Sequence, residues 1–595
     1  MGKNLETGGA VAATLVVAAS DSVDPTRADS QSSGVADEVE INAALVAAAG
    51  GRVILLEGTY NCAANIVVPA DTKLEGQGWG TILNFDDGGA GTVTNAGAIT
   101  INGHDVHVFN LKVLIAAGCG SAGTRPNGVT ANGMDNTLLE NLWIYGDQTI
   151  NDNNDGRQNG IYLASTERSL VFACRCQHNQ RHGVSCLNPR RVTISNCTCI
   201  DNAWRGIHLS TGFNNVVTGN HCMDNINDGI YLDSPNYTTV TANSCDGNVT
   251  HGIHLHSLTG AAIVGNICEG NFGDGIFVYD TLDSLIDSNE CYDNSFYGLE
   301  MDFNCSRISI TGNTFSRNDR HGIYSRRSVT DCVISGNICD RNDFEGNTYS
   351  GINLDAGSRC TISANICNQN GLHNIALVAN TFSCPVTGNS CFDSFTGDGI
   401  YIAGNYHEVT GNSLWNNQGY GINIASGSAI RVINNRYITN VTGQFLDGGT
   451  DTQLATYVVS FVDGTDPQDS GYLIDAGGEL ARAYLRLPPE VQQVVRMVVY
   501  ARAKTVEVHE MELEMVVKGA ADNEPYATHD GSIAALDSIS VNFAADDVIF
   551  WRNIEAGVLA LLGGDSVEVK VLHAPVSGDN LDTQAYFRTV EIQYV

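Results

Sequence analysis

The sequence predicts an all-β protein, most of which is a right-handed parallel β-helix with three short strands in each coil. Three features predict this fold: a glycine that returns with a constant period of 23, asparagines that return in the same register, and β-forming runs too short for helices. A single coil of this kind cannot bury its own apolar face. Successive coils must therefore stack and share one core.

A phrase of the type Gly-Ile-x-Leu marks each coil. The period of its glycine is constant from position 160 to position 298, and intervals of 24, 29 and 25 occur in the later coils. We therefore expect insertions in the loops of the later coils. The position is held by Gly160, Gly183, Gly206, Gly229, Gly252, Gly275, Gly298, Gly322, Gly351, Gly399 and Gly421, and once by Asn374.

Asparagines and cysteines form further columns in this register. Asparagine amides that stack at one place in every coil can satisfy the backbone groups of a turn. The cysteines share one inward position, where Phe315 and Leu414 replace them, so the position is apolar. Stacked strands hold their Cβ vectors parallel, which conflicts with disulfide geometry, and this favours buried free thiols over disulfides or metal. The column contains Cys176, Cys199, Cys222, Cys245, Cys268, Cys291, Cys339, Cys367 and Cys391.

The charge balance limits the possible partners. Acidic residues outnumber basic residues by 66 to 31, which gives a formal net charge of −35. Such a surface repels polyanions and argues against nucleic acid as a partner. No apolar stretch reaches the roughly 20 residues that cross a bilayer, so we expect no membrane insertion. The run 10–19 weakly imitates a signal peptide, but a first β-strand explains it as well.

The N-terminal part carries a resemblance to a known family. The segment 36–60 reads ADEVEINAALVAAAGGRVILLEGTY, and VPADTKLEGQG follows shortly after it. This pattern resembles the N-terminal cap of the pectate-lyase-like β-helix superfamily, as found in phage tailspikes, where an amphipathic helix covers the open end. The resemblance extends from position 36 to about position 440 and implies a polysaccharide ligand, an extracellular or virion location and a homo-oligomer such as a trimer.

The period disappears after position 449, and strands of ordinary β type follow. These strands, expected at 455–462, 495–501, 506–517, 548–551, 566–572 and 586–594, predict a β-sandwich. We therefore divide the chain into an N-terminal strand or attachment segment (1–35), the β-helix with its cap (36–450) and a C-terminal β-sandwich for oligomerisation or carbohydrate binding (451–595).

The repeat also predicts which side chains lie outside the core. With the glycine as position zero, side chains at +1 and +3 point inward and those at −1, +2 and +4 face solvent. Rings stack on sugar C–H faces and sugar hydroxyl groups need polar partners, so this face suits a polysaccharide. The alternatives are that the rings only pack on each other or that another subunit covers them. The candidate substrate-binding residues are His208, Tyr231, His254, His256, Phe277, Tyr279, Tyr297, His321, Tyr324, Arg326 and Tyr349.

Carboxyl groups on the same face suggest hydrolysis. Glu300 and Asp302 share one strand and one face at roughly 7 Å, and Asp355 lies roughly 10 Å from Asp302. Such separations suit an inverting glycoside hydrolase, in which one group protonates the glycosidic oxygen and the other activates water. Asp233 and Asp280 are the reserve candidates.

Two other functions stay open. A non-enzymatic structural or adhesive spike would use the face as an interface, and a uronate polysaccharide lyase would use Ca²⁺ with lysine or arginine as base. No lysine occurs between positions 113 and 503, and the motifs of the family's lyases and polygalacturonases are absent. The outward histidines are spread over several coils without a ligand spacing, so we expect no metal and no cofactor, with Ca²⁺ only in the case of a lyase.

Overall fold

The computed structural model describes residues 13–455 except 49, 95, 121–124, 147–157, 345 and 451, and after position 455 the backbone of seven strands. From residue 13 to residue 455 the described chain is a right-handed parallel β-helix, as the sequence predicts. Its core is one cluster of apolar side chains that extends from Val17 to Val432.

A short helical segment precedes the regular coils. The α-helix Glu38–Ala48 follows a 3-10 turn at Pro25–Arg27. Ile41 and Leu45 of the helix are fully buried, and the helix packs against the first strands. The predicted capping helix is therefore confirmed. No helix of the described residues is long and apolar enough to span a membrane.

Each coil contributes one strand to a parallel sheet of 16 strands, which we call the strip sheet because it carries the candidate residues. Its strands are Ile66–Pro69, Ile99–Asn102, Val129–Asn132, Ile161–Ala164, Val184–Leu187, Ile207–Ser210, Ile230–Asp233, Ile253–His256, Ile276–Tyr279, Leu299–Asp302, Ile323–Ser325, Ile352–Leu354, Ile375–Leu377, Ile400–Ile402, Tyr420–Ile424 and Gly443–Asp447.

Two further columns of strands close each coil. The early coils contain Thr14–Ala18, Ser30–Gln31, Arg52–Leu55, Gly58–Cys62, Lys73–Glu75, Thr81–Phe85, His107–Ile115 and Leu138–Tyr145. The second column continues with Leu170–Phe172, Thr193–Ser195, Val216–Thr218, Thr239–Thr241, Ala262–Val264, Leu285–Asp287, Ser309–Thr311, Val333–Ser335, Thr361–Ser363, Val386–Thr387, Glu408–Thr410, Arg431–Ile433 and Gln453–Ala455.

The third column contains Arg175–Gln177, Thr198–Ile200, His221–Met223, Ser244–Asp246, Ile267–Glu269, Glu290–Tyr292, Thr314–Ser316, Ile338–Asp340, Ile366–Asn368, Ser390–Phe392, Ser413–Trp415 and Arg436–Ile438. A small separate parallel sheet is formed by Cys305–Ser306, Val329–Thr330 and Gly357–Ser358. The insertion before Gly351 lies in the loop between Ile338–Asp340 and Ile352–Leu354, as expected.

Close packing between coils explains the repeated glycine. A Cβ atom on Gly229 would lie 2.7 Å from the carbonyl oxygen of Gly252 and 3.0 Å from Cβ of Cys245, so the next coil leaves no room for a side chain. The asparagine column forms as expected, with Nδ2 of Asn248 donating to Oδ1 of Asn271 at 3.0 Å. All 18 cysteines are buried free thiols, which confirms that prediction.

The C-terminal part has antiparallel strands, unlike the coils. One sheet joins Tyr472–Ile474, Val494–Ala503 and Ala585–Tyr594, and another joins Ala481–Arg486, His509–Met515, Asp537–Asn542 and Ser566–Pro575. The strands expected at 495–501, 506–517, 566–572 and 586–594 are confirmed in whole or in part. Most of 455–462 and all of 548–551 lie outside the described residues, and the β-sandwich and the domain boundaries stay predictions.

Candidate functional site

The candidate residues lie on the outer face of the strip sheet. Ile253 and Leu255 are fully buried, whereas His254 between them is only partly buried. Strand pairing places Tyr231 beside His254. We use the name strip for the outward residues at positions −1, +2 and +4 in the coils from Gly183 to Gly351, together with Tyr349.

Several strip residues differ from expectation in their exposure. The repeat predicts that they face solvent, but Glu300 and Asp302 are only 7% and 3% exposed. The reason is that coils stack at only about 4.8 Å, so each long outward side chain lies against its neighbours in the adjacent coils. The strip is therefore a packed layer of rings and charges over the sheet. The candidates that the structure buries are Tyr231, Tyr297, Glu300, Asp302 and His321.

One group of rings lies in the coils before Glu300. The rings of His182 and His208 are 4.6 Å apart, and those of His208 and Tyr231 are 5.4 Å apart. The guanidinium of Arg205 lies 3.7 Å from the centre of the Tyr231 ring, in cation–π contact. Burial lowers the pKa of His208 to about 3, with the charge of Arg205 contributing, so this imidazole is neutral at pH 7.

A second group of rings lies around and after Glu300. Tyr324 contacts Tyr297 at 4.7 Å and His321 at 5.1 Å between ring centres. Tyr349, from the insertion before Gly351, meets His321 edge-on at 4.9 Å. Burial lowers the pKa of His321 to about 3. The insertion therefore adds Tyr349 to the strip, in contact with His321.

A third row of rings runs along position +4 and ends at Phe303, which holds position +5. His256 stacks on Tyr279 at 5.1 Å, and Tyr279 stacks on Phe303 at 5.5 Å. His256 also lies 3.3 Å from the carboxylate of Asp233, its neighbour in the preceding coil. Asp233 therefore pairs with a histidine at the side of the strip.

Glu300 lies between the ring groups, and Phe277 pairs with it in register. Burial raises the pKa of Glu300 to about 8, and the charges of Asp274 and Asp302 add to this effect. The guanidinium of Arg326, 3.8 Å away, opposes it only in part. The carboxyl group of Glu300 is therefore mostly protonated at neutral pH.

Asp302 and Asp355 have fixed partners. Arg327 donates two hydrogen bonds to Asp302, at 2.8 and 2.7 Å. Asp355 accepts a hydrogen bond of 3.3 Å from the hydroxyl group of Tyr324, which links it to the second ring group. Arg326 lies 3.6 Å from Asp302 as well as near Glu300, so the structure brings these two carboxyl groups together around one guanidinium.

Asp280 lies in the turn after the strand Ile276–Tyr279. Its carboxylate accepts hydrogen bonds from Ser257 at 3.1 Å and from Asn304 at 2.7 Å. These partners give Asp280 a role in the turn. The catalytic assignment of the five candidate carboxylates stays a prediction.

Sequence reasoning missed a cluster at the centre of the strip. One carboxylate oxygen of Asp228 and one imidazole nitrogen from each of His251 and His254 all lie within 4.8 Å of one another. The expectation that the outward histidines are dispersed is therefore wrong for His251 and His254. Asp228 is buried and lies 3.5 Å from Nδ1 of His254 and 3.0 Å from Nε of Arg205. The signal was present in the repeat, because Asp228 and His251 both hold position −1 and His254 holds position +2.

The charges of this cluster follow from its contacts. Burial opposes ionisation of Asp228, but the hydrogen bond and charge of His254 outweigh it and hold the pKa of Asp228 below its usual range. Burial lowers the pKa of His254, although the hydrogen bond and the charge of Asp228 act to raise it. Burial also works against the charge on His251, but the hydrogen bond to Asp274 prevails and raises the pKa of His251.

Two family models match the coils. A model described as a periplasmic copper-binding protein (NosD) matches residues 98–274. A model described as a right handed beta helix region matches residues 217–346 and 328–437. No curated protein matches the chain.

Several solved structures are similar to the chain. A tailspike protein of the E. coli bacteriophage HK620, in complex with a pentasaccharide, is 10% identical with a TM-score of 0.47, covering 95% of this chain and 92% of that one. The A-module of a mannuronan C-5 epimerase from Azotobacter vinelandii is 16% identical with a TM-score of 0.36, covering 71% and 98%. PfbA, a surface adhesin of Streptococcus pneumoniae, is 13% identical with a TM-score of 0.33, covering 74% and 94%.

Proposed function

Since the chain folds as a right-handed parallel β-helix, we propose that its strip binds an extended polysaccharide and hydrolyses it with Glu300 as the general acid. One observation carries this proposal: Glu300 is buried between rings, and its pKa is raised to about 8 by that burial and by nearby carboxylates. A carboxyl group that stays protonated near neutral pH can give its proton to a glycosidic oxygen.

The rings on both sides of Glu300 support binding of a chain. Tyr231 lies in a coil before Glu300 and Tyr324 in a coil after it, and these two tyrosines are separated by four coil steps. At about 4.8 Å per coil the separation is roughly 19 Å, the length of several sugar units. Faces of the rings would contact sugar C–H groups, while neutral imidazoles and tyrosine hydroxyl groups offer hydrogen bonds to sugar hydroxyl groups.

Asp302 is the proposed base that activates water. It follows Glu300 on the same face of one strand, at a spacing of roughly 7 Å. Inverting hydrolases hold their two carboxyl groups about 6.5–9.5 Å apart to admit a water molecule. The two hydrogen bonds from Arg327 fix the orientation of the Asp302 carboxylate.

A glycan panel tests this function. The full-length protein is incubated with each glycan, and new reducing ends and unsaturated uronate products are both measured. New reducing ends without unsaturation support hydrolysis, and unsaturated products would replace the proposal by a lyase. Binding without any product would replace it by an adhesive or structural spike.

We also propose that the protein acts outside cells or on a virion surface, where polysaccharides occur, and that it forms a homo-oligomer such as a trimer. Its mass in solution, measured by light scattering, tests the assembly. The strip must remain open in that assembly. An interface that covered Tyr231, Phe277 and Tyr324 would contradict the polysaccharide proposal.

A further inference from the structure

We infer that Asp228, His251 and His254 form a binding site for one divalent transition-metal ion of the zinc class. The three side chains belong to two successive coils at the centre of the strip. This inference goes beyond polysaccharide hydrolysis and does not depend on it, because it rests on a different set of side chains.

The potential ligand atoms of these three side chains lie close together. One imidazole nitrogen from each histidine and one oxygen of Asp228 lie within 4.8 Å of one another. Zinc binds such atoms at about 2.0–2.2 Å, so ligand atoms around one ion lie roughly 3–4 Å apart. Side-chain movements on the order of 1 Å would therefore close this cluster on an ion.

One imidazole nitrogen of His254 has no partner within the described residues. Nε2 of His254 is buried and, within the described residues, has no hydrogen-bond partner. The other nitrogen of the ring, Nδ1, lies 3.5 Å from Oδ1 of Asp228. A buried polar atom without a partner is costly, and coordination of a metal through Nε2 would remove that cost.

Neighbouring groups hold the potential ligands in fixed orientations. Thr250 donates a hydrogen bond of 2.7 Å to Oδ1 of Asp228, and Arg205 donates one of 3.0 Å to Oδ2, so the carboxylate is held in one orientation. The carboxylate of Asp274 lies 3.1 Å from Nδ1 of His251, and the backbone N–H of Asp274 faces the same nitrogen. With its proton on Nδ1, His251 donates a hydrogen bond to the Asp274 carboxylate, and Nε2 then has a lone pair for a metal. A carboxylate behind a ligating histidine fixes the ring and raises its basicity in many metal sites.

Charge and access also suit a cation. The carboxylates of Asp228 and Asp274 carry two negative charges, and Arg205 supplies one positive charge beside them. With both imidazoles neutral, as metal ligation requires, the site has a net negative charge that favours a divalent ion. The side chains of His251 and His254 are 22% and 17% exposed, so an ion can reach them from solvent.

The donor set defines the class of metal. Two imidazole nitrogens and one carboxylate oxygen favour zinc and its neighbours over calcium and magnesium, which prefer oxygen ligands. Three protein ligands leave a coordination position for water or for an oxygen of a bound sugar. The 18 cysteines are all buried, so thiols of the folded protein offer no exposed competing site.

The test is metal binding by the full-length protein after treatment with a chelator. Isothermal titration calorimetry with Zn²⁺ is expected to show one equivalent bound, and Co²⁺ is expected to give a visible spectrum typical of nitrogen and oxygen ligands without a thiolate band. His251→Gln and His254→Gln should each weaken binding by more than about tenfold, and Asp274→Asn by about 10–100-fold. Circular dichroism shows whether each variant keeps the wild-type fold.

His256→Gln is the matched control, because His256 lies on the same strand as His254 but outside the cluster. This variant should bind zinc like the wild type. Absence of saturable binding by the wild type would overturn the inference, as would equal binding by a folded His251→Gln/His254→Gln variant. Glu300→Gln should lose hydrolysis and keep the zinc site, which separates a failure of one proposal from a failure of the other.

Discussion

Glu300 and Asp302 point to the same face of one strand, but their partners differ. Asp302 accepts two hydrogen bonds from Arg327, at 2.8 and 2.7 Å. Glu300 lies 3.8 Å from the guanidinium of Arg326, and burial keeps it protonated near neutral pH. An arginine therefore neutralises one carboxyl group and a proton neutralises the other, which is the division of roles that acid–base hydrolysis needs.

The first prediction concerns pH. Hydrolysis requires Glu300 to be protonated, so kcat/KM should fall as the pH rises above about 8, the pKa to which burial and its neighbours raise this group. Asp274→Asn removes one of the negative charges that raise the pKa of Glu300. The alkaline limb of the pH profile of kcat/KM should therefore move to lower pH. Asp287→Asn, in a strand of the second column, serves as the control and should leave the limb in place. A limb that is identical in all three proteins would contradict this role of Glu300.

The second prediction concerns the ion pair of Asp302. The side chain of Asp302 is only 4% exposed, and Arg327→Gln would leave Arg326 as the one cation beside its carboxylate. We therefore expect the urea concentration at the midpoint of denaturation to fall. Arg359→Gln removes an exposed pair with Asp331, which water screens, and should leave the midpoint nearly unchanged. Denaturation curves of both variants measure the difference. Equal shifts would show that burial of Asp302 has no energetic effect.

The third prediction concerns the ring groups. Tyr324→Ala removes a ring that contacts Tyr297 and His321, and we expect about tenfold weaker glycan binding. Tyr292→Ala is the control, because Tyr292 ends a strand of the third column and its hydroxyl group donates a hydrogen bond to Glu269. Equilibrium binding to the glycan found in the panel is the measurement. Similar affinities for the two variants would argue against the strip as the binding surface.

The fourth prediction concerns acid stability. Burial lowers the pKa of His208 and of His321 to about 3, whereas an unfolded histidine has a pKa of about 6.5. The unfolded chain therefore binds more protons between these values, so stability is present above about pH 6.5 and is lost as the pH falls towards 3, by up to about 1.4 kcal/mol per pH unit for each histidine. Urea denaturation across this range measures the slope, which His208→Gln should reduce. A folded His208→Gln variant that keeps the wild-type slope would contradict this account.

The sequence predicts the coils well because every coil follows the same backbone path. A constant period assigns Tyr231 and His254 to one column without structural information, and the two residues do pair in register. The same regularity makes the inward cysteines and the stacked asparagines predictable.

Contacts between side chains at different positions of the repeat are harder to predict from the sequence. Asp228 and His254 hold different positions in successive coils, and their meeting depends on the lengths and rotamers of side chains as well as on the period. The burial of Glu300 has the same origin, since neighbouring side chains in adjacent coils determine how much water reaches it. Its environment, and with it the raised pKa, could therefore not be derived from the position of Glu300 in the repeat.

The most direct test of the proposed function compares the wild type with Glu300→Gln and Glu290→Gln on the glycan found in the panel. Glu290 is exposed on a strand of the third column and provides the matched control. We expect Glu300→Gln to bind the glycan with an affinity close to that of the wild type but to release product about 10²–10⁴-fold more slowly, while Glu290→Gln behaves like the wild type. A folded Glu300→Gln variant that releases product at the wild-type rate would contradict the proposed role of Glu300.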